Sequence, residues 1–349
     1  MSNIKTKIFI TFNIILISLF ISGCSQKTQI KAIKSGKVLD NDIKYIGVST
    51  FKNDNISQSS QIDSAISGVS IQGKKYFNLV DRKNIKKVMS EKSLNDSGLV
   101  NLVNNNSTIG LKQMKALVTG DINLNSISSL KFKEERTDFD TCIKTYEKKG
   151  KTYCKEYKKY KVNCQSNQYD LQTKVKIIKI EDSSTLFAKT YKESSKHKHC
   201  SDDKNILPTK KSENSRLAGV IANRFILDIA PSYRYFNVVL LDDLDIDVTT
   251  RQENIFENSL KMIKYKRVKK ANEMLLKLNN EVGEKSFVIL YNLAIMQESL
   301  GNIQKAYQLL EKAENISLEK GDIIEEVSIA IKRVQNNLIE KEKVLKQMR

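Results

Sequence analysis

The chain has 349 residues, five cysteines and a formal net charge of +19. This length allows two domains, each large enough to bury a core. A basic balance is typical of proteins that bind nucleic acid, anionic lipid or another polyanion. The lysines are spread along the whole chain, however, as they are on an ordinary solvated surface. Composition alone therefore does not assign this chain to the nucleic-acid-binding proteins.

Residues 1–23 predict a lipoprotein signal peptide. A basic start precedes a mostly apolar run, Ile8–Ile21, which is shorter than the roughly 20 residues that span a membrane and suits a signal-peptide core. The run ends in Ile-Ser-Gly-Cys24, which resembles the bacterial lipobox. The resemblance implies cleavage before Cys24 and acylation of its thiol, with palmitate among the acyl chains. The alternative is an ordinary signal peptide with a chance cysteine.

A lipid anchor at Cys24 implies that the membrane is the first partner of the mature chain. Ser25 resembles the sorting pattern for the outer membrane, so we expect an outer-membrane protein that faces the periplasm. Residues 24–42 are polar and basic and predict a tether. This location makes nucleic acid an implausible partner, and we predict none.

Residues 43–250 predict an α+β domain in which helices pack on a mixed β-sheet. Tyr45–Phe51 and Tyr76–Asp81 are typical of strands, Ile62–Val69 is typical of an amphipathic helix, and Leu117–Asp121 predicts a further strand. Apolar residues at helical spacing after Asp81 predict a helix between the second and third strands.

The second half of this domain continues the pattern. Apolar residues alternate over Lys174–Ile180 but slip by one position at Ile177-Ile178, which predicts a β-bulge or a strand buried on both faces. Thr185–Tyr191 predicts its hairpin partner. Ser212–Ile229 predicts a helix that ends before Pro231, and Tyr235–Leu241 predicts a last strand.

One family resemblance covers the first part of this domain, from Lys44 to Asp121. Its residues are Phe77, Asp81-Arg82, Glu91, Leu94, Ser97-Gly98 and the run from Leu117 to Ile122. They resemble the CsgG-like lipoproteins, a family that includes the curli secretion channel and the penicillin-binding-protein activator LpoB. The resemblance implies the α+β fold and allows a homo-oligomer, but it does not choose among the functions of the family.

Residues 131–205 predict an insertion rich in Cys, Lys and Tyr. Apart from Cys24 it holds all the cysteines: Cys142, Cys154, Cys164 and Cys200. In an oxidising compartment an even number predicts two disulfides, with three pairings open. A metal site that combines these thiols with His197 and His199 is the alternative, although the close C-x-x-C pairs of structural zinc sites are missing. We predict disulfides, no metal, no cofactor, and histidines in an exposed loop.

Between Thr141 and Cys164 eight Lys and two Glu are interleaved with tyrosines. A cross-linked, solvated hairpin and a surface for a polyanion, such as lipopolysaccharide or glycan phosphate, both fit this composition. In the curli channel the corresponding region supplies membrane-spanning hairpins. A spanning strand needs lipid-facing apolar residues at alternate positions over about 9–11 residues. Leu130–Tyr169 lacks that alternation and is densely charged, which disfavours a pore.

Residues 251–349 predict an all-α tail. Phe287–Leu318 resembles a tetratricopeptide repeat (TPR), and a degenerate copy lies about 35 residues earlier. The residues predicted to pack in the repeat are Leu293, Ala294, Gly301, Ala306, Leu310 and Ala313. Ile323–Met348 predicts a capping helix. The tail is either a groove for a partner peptide or a structural cap.

The sequence shows no nucleophile elbow, no H-E-x-x-H and no Gly-rich phosphate loop, so we predict that the protein is not an enzyme. An acidic run at Asp242, Asp243, Asp245 and Asp247 predicts a solvated turn rather than a cation site. We expect a lipid-anchored adaptor or assembly factor of the cell envelope. An oligomeric CsgG-like secretion component and an LpoB-like activator of peptidoglycan synthesis are the alternatives.

Overall fold

The computed structural model describes residues 26–80 and 114–348, and it divides the chain into two compact units. The sheet unit runs from Gly36 to Pro231. The helical unit combines the segment before it, up to Ser35, with Ser232–Lys346. The predicted boundary at residue 250 is wrong, because the strand that begins at Ser232 pairs inside the helical unit.

The sheet unit contains most of the strands. They are β2 (Tyr45–Val48), β3 (Ser70–Ile71), β4 (Lys74–Lys75), β5 (Asn78–Val80), β6 (Ala116–Lys148), β7 (Lys151–Lys179) and β8 (Thr185–Cys200), with β1 (Lys27–Lys34) and β9 (Ser232–Val239) in the helical unit. The main sheet has the order β5-β2-β6-β7-β8. Its β5-β2 and β2-β6 pairs are parallel, and its β6-β7 and β7-β8 pairs are antiparallel. This mixed sheet confirms the predicted α+β class.

A 3-10 helix (Asn41–Lys44) and two α-helices, α1 (Gln58–Ser67) and α2 (Lys210–Ile229), complete the sheet unit. Each α-helix buries one apolar stripe, because apolar residues recur at helical spacing. Ile62 and Ile66 of α1 are fully buried, as are Ile221 and Phe225 of α2. The buried Gln58 amide donates to Ala218 O at 2.9 Å and ties the two helices together.

Two features of the sheet that stand out in the sequence, the slip at Ile177-Ile178 and Gly120, have counterparts in the structure. Pairing between β7 and β8 shifts register between Ile177 and Ile178, which confirms the predicted bulge. Gly120 belongs to the run that resembles the CsgG-like family. A Cβ at Gly120 would lie 2.4 Å from the ring of Phe51, so only glycine fits beneath this aromatic side chain. The predicted helix after Asp81 lies outside the described residues.

The helical unit consists of the two-stranded β1–β9 ribbon and five helices. The helices are α3 (Thr250–Lys264), α4 (Val268–Glu281), α5 (Phe287–Ser299), α6 (Ile303–Glu319) and α7 (Glu325–Met348). The tether prediction is wrong for Lys27–Lys34, which pairs with β9 over its whole length. Ile30 and Ala32 alternate with lysines and glutamine, and this sparse alternation is enough to bury both side chains.

The positions that predicted repeat packing lie where α5 and α6 meet. Leu293, Ala294, Ala306, Leu310 and Ala313 are all completely buried. Their burial reflects close helix approach, which small side chains permit. The turn between these helices contains Gly301 with φ of +83°, a left-handed conformation that glycine adopts without strain. The identity of the motif as a TPR stays a prediction.

Candidate functional site

An exposed two-stranded arm, residues 133–163, extends the main sheet beyond the end of β8. Strands β6 and β7 pair from the core of the sheet to Lys148 and Lys151, with register shifts after Ile122 and between Asp138 and Thr145. Strand β8 ends earlier, at Cys200, opposite Cys164. Beyond that point β6 and β7 continue alone. At about 3.3 Å per residue the arm extends roughly 40 Å past the end of β8. The insertion predicted over residues 131–205 is therefore mostly a hairpin.

Two disulfides hold this arm. Cys164–Cys200 lies at its base and is buried, and Cys142–Cys154 lies near its end and is accessible. The structure thus selects one of the three pairings and confirms the prediction of disulfide bonds. Glu134 lies close to the basal pair, but both sulfurs are bonded to each other and are not thiolate ligands.

The histidines near the base are on strand β8, so their predicted placement in an exposed loop is wrong. His197 is half-buried and its Nε2 lies 3.2 Å from Oε1 of Glu213. The carboxylate of Glu213 also accepts hydrogen bonds from Arg216 and from Ser195. The bond from Arg216 is the main reason that the pKa of Glu213 is lowered to about 2, against the effect of burial. This arrangement fastens β8 to the first turn of α2.

A set of ion pairs lies beside the basal disulfide. Arg136, on β6, reaches Asp203 at 3.1 Å and Asp202 at 3.4 Å, just after the end of β8. Asp203 also accepts a hydrogen bond from Cys200 N at 2.7 Å, and this bond together with Arg136 lowers the pKa of the carboxyl group. The hydroxyl of Tyr160 contacts Asp202 at 3.3 Å. These contacts therefore fix the base of the arm at the point where β8 ends.

The tip of the arm is a compact basic and aromatic surface, residues 142–155. Lys149 and Gly150 form a two-residue turn with φ of +53° and +70°, as a type I′ hairpin requires. Tyr146 and Tyr153 are paired across the strands and stack with ring centroids 5.7 Å apart. Two residues further along each strand, on the same face, Lys148 pairs with Lys151.

A second candidate site is a groove in the helical unit. It has a volume of about 650 Å³ and is lined by residues of β1, β9 and α7. Its apolar lining includes Ile33 and Phe236 from the ribbon and Ile329 and Ile339 from α7. Both isoleucines of the helix are more than half exposed, at 55% and 51%. Exposed apolar side chains beside a concavity are typical of a binding groove.

Cations surround this apolar lining. The carboxylate of the buried Glu298 holds Arg333 at 2.8 Å and accepts a hydrogen bond from Asn337, which fixes the inner wall of the groove. Glu340 is engaged by the backbone N–H and the hydroxyl of Ser35, both at 2.8 Å. Arg333 neutralises Glu298, whereas Ser35 supplies hydrogen bonds to Glu340 without changing its charge.

Three further cations, Lys34, Arg234 and Lys332, line the groove. Within residues 26–80 and 114–348 none of the three forms an ion pair, although each lines the groove. Lys343, a fourth lining cation, is paired with Glu340 at 3.0 Å. The groove therefore offers apolar contacts and an excess of positive charge to whatever enters it.

The acidic run after β9 is a structural element rather than a solvated turn at Asp245. This carboxylate accepts hydrogen bonds from Ser286 Oγ and from the backbone N–H groups of Phe287 and Val288, at the start of α5. Lys320 donates to it at 2.5 Å. Burial raises the pKa of Asp245, but these donors outweigh burial and lower the pKa overall. The run could have been recognised as a cap for α5 only if the fold were known.

The predicted lipidation site, Cys24, lies outside the described residues, and lipidation stays a prediction. Among the residues that the structure describes, no helix combines the length and apolar character needed to span a bilayer. Sequence reasoning identified the cysteines but missed the groove, since its lining comes from strands and a helix about 300 residues apart. The Lys-Gly turn between alternating segments was the available signal for the length of the arm.

Comparisons with known proteins give no assignment. No protein-family model matches the chain, and no curated protein sequence matches it. Among solved structures it is similar to PelC from Paraburkholderia phytofirmans, solved as a dodecamer, with 7% identity and a TM-score of 0.26. That likeness covers 59% of this chain and 99% of the PelC chain. Values this low carry no argument about function, and the resemblance to CsgG-like lipoproteins stays a prediction.

Proposed function

We propose that this chain is a lipid-anchored, non-enzymatic adaptor of the cell envelope, held at the outer membrane through Cys24 and facing the periplasm. The leader sequence supports the anchor. The two disulfides support a location outside the reducing cytosol, because such bonds form and persist in oxidising compartments. The adaptor role requires a surface that binds a partner, and the groove of the helical unit is the feature that supports this role.

The groove is the observation that carries this proposal. Ile33, Phe236, Ile329 and Ile339 provide an apolar lining. It is surrounded by Lys34, Arg234 and Lys332, which have no ion-pair partner among the described residues. The chemistry that fits is an acidic peptide segment with apolar anchor residues from a partner protein. Apolar anchors would supply affinity, while complementary charge would supply orientation and rate of association.

In-cell photocrosslinking tests this proposal. A photoreactive amino acid at Ile329, in the groove, should give a discrete adduct with an envelope protein. The same probe at Ile323, which is 82% exposed and lies outside the groove, is the matched control and should not give that adduct. Lys332→Glu should weaken the Ile329 adduct, whereas Lys341→Glu, on the same helix but outside the groove, should not. Equal adducts from both probe positions would overturn the proposal.

A second candidate function, an oligomeric assembly component, is favoured by one observation. Beyond Ile122 the outer edge of β6 has no paired strand in the described parts of the chain, and it presents exposed Leu124 and Leu130. An unpaired edge is a template for a strand from another copy. Analytical ultracentrifugation should then show an oligomer that Leu124→Lys with Leu130→Lys dissociates. Leu227→Lys, at another exposed leucine, is the control.

A further inference from the structure

We propose that the tip of the arm, residues 142–155, docks on a bilayer surface rich in anionic phospholipid. This is a second membrane contact, distinct from an acyl anchor, and it does not rest on the function of the groove. The tip is the part of the sheet unit where charge, aromatic side chains and rigidity coincide, and each of the three is a separate observation.

The charge of the tip is concentrated and available. Residues 142–155 contain five Lys and one Glu. Lys148, Lys149 and Lys151 lie at the turn, all are exposed, and none of them forms an ion pair with another described residue. Basic residues close to an anionic leaflet each strengthen adsorption about fivefold at physiological ionic strength. The three lysines at the turn therefore contribute roughly 100-fold to the affinity for such a surface.

The aromatic side chains favour a bilayer over a soluble polyanion. Tyr146 and Tyr153 stack on the same face as Lys148 and Lys151, and their side chains are 45% and 44% exposed. Ile143 adds an apolar side chain that is 63% exposed. Tyrosine rings are favoured at the lipid–water interface, where the ring meets the acyl boundary and the hydroxyl stays hydrated. Lysines beside them would meet the phosphate layer.

The tip is also preorganised for this contact. The Cys142–Cys154 disulfide joins the two strands, and the Lys149-Gly150 turn fixes the end of the hairpin. A rigid surface loses little conformational entropy on binding, so more of the interaction appears as affinity. Adsorption keeps the lysines in water, in contrast to insertion across the hydrocarbon core, which their charge opposes.

Vesicle co-sedimentation tests the inference. The chain from Ser25 to Arg349, secreted behind a cleavable leader so that disulfides form and no acyl chain is attached, retains every described residue. We expect binding to vesicles of 30% phosphatidylglycerol in phosphatidylcholine and none to pure phosphatidylcholine. Lys148→Gln, Lys149→Asn and Lys151→Gln together should weaken binding about 100-fold. Asparagine suits the positive φ of Lys149, so the turn is kept.

The matched control removes three exposed lysines from the helical unit: Lys269→Gln, Lys277→Gln and Lys305→Gln. The charge lost is the same, and we expect less than a twofold change. Equal losses from both triple variants would mean that net charge alone drives binding and would overturn the assignment to the tip. Retained binding in the first variant would overturn it as well.

A fluorescence experiment separates a bilayer from a soluble polyanion. The chain has no Trp, so Tyr146→Trp places a single reporter at the tip. Its emission should shift to the blue with anionic vesicles, while Tyr265→Trp, at an exposed position of the helical unit, should not change. Inorganic polyphosphate should bind more weakly and leave the emission unshifted. Equal affinity for polyphosphate, or no shift of the tip reporter with vesicles, would refute a bilayer as the ligand.

Discussion

Replacing Asp228 with asparagine should destabilise the sheet unit in a pH-dependent way. Asp228, near the end of α2, accepts from Lys189 at 2.6 Å and from the hydroxyl of Tyr191 at 2.8 Å, and it pairs with Lys37 at 2.7 Å. Burial raises its pKa, but these three donors outweigh burial and lower the pKa to about 2, from the usual 3.8. At about 1.4 kcal/mol per unit, ionisation contributes roughly 2 kcal/mol to stability.

The direction of the pH dependence follows from the lowered pKa of Asp228. Asp228 contributes fully above about pH 4, and its contribution is lost as the pH falls from about 4 towards 2. Phe187→Trp provides a reporter of urea unfolding, since Phe187 packs against Phe225 of α2 and the chain has no Trp. In this background Asp228→Asn should lower the free energy of unfolding by about 2 kcal/mol at pH 7 and by much less at pH 2. A difference that is constant from pH 7 to pH 2 would refute the reasoning.

Three further predictions concern single features. Gly36→Ala should cost about 1–3 kcal/mol of unfolding free energy by urea titration, because the added Cβ would lie 2.3 Å from Ile229 O. Replacing Cys164 and Cys200 with serine should lower stability by about 4 kcal/mol, as expected for a link that closes 36 residues, and the readout is the urea midpoint with and without reductant. Asp245→Ala should cost about 1–2 kcal/mol and increase amide exchange at the start of α5, whereas Asp247→Ala should change neither.

The sequence was informative wherever one face of an element is buried. The strands at Tyr45 and Leu117, the helix that ends before Pro231 and the slip at Ile177 could all be predicted, because apolar periodicity reports burial directly. The helices of the tail could be predicted from a different signal, the resemblance to a repeat, because α5 is buried on all sides from Phe287 to Glu298. These elements place the core, and they include Gly120, whose close approach to Phe51 explains why this position has no side chain.

The remaining features depend on contacts between distant residues. Lys27–Lys34 looked like a tether because its alternation is weak, and only its pairing with Ser232–Val239 makes it a strand. Asp245 looked like solvated charge because the helix that it caps begins about 40 residues later. The groove was missed for the same reason. Local patterns carry no information about partners of this kind, and such partners define both the division into units and the candidate site.

The exposed side chains at the tip of the arm do not stabilise the sheet unit, so their role concerns contact with another molecule or surface. A two-stranded ribbon with both faces in water is marginally stable, because it buries no core of its own. Here covalent links replace the missing core: Cys164–Cys200 lies where β8 ends, and Cys142–Cys154 lies between that point and the turn. The exposed tyrosines and lysines at the tip add nothing to a buried core. A rigid extension that carries such residues far from its own sheet is best understood as a contact surface, which is the premise that vesicle binding tests.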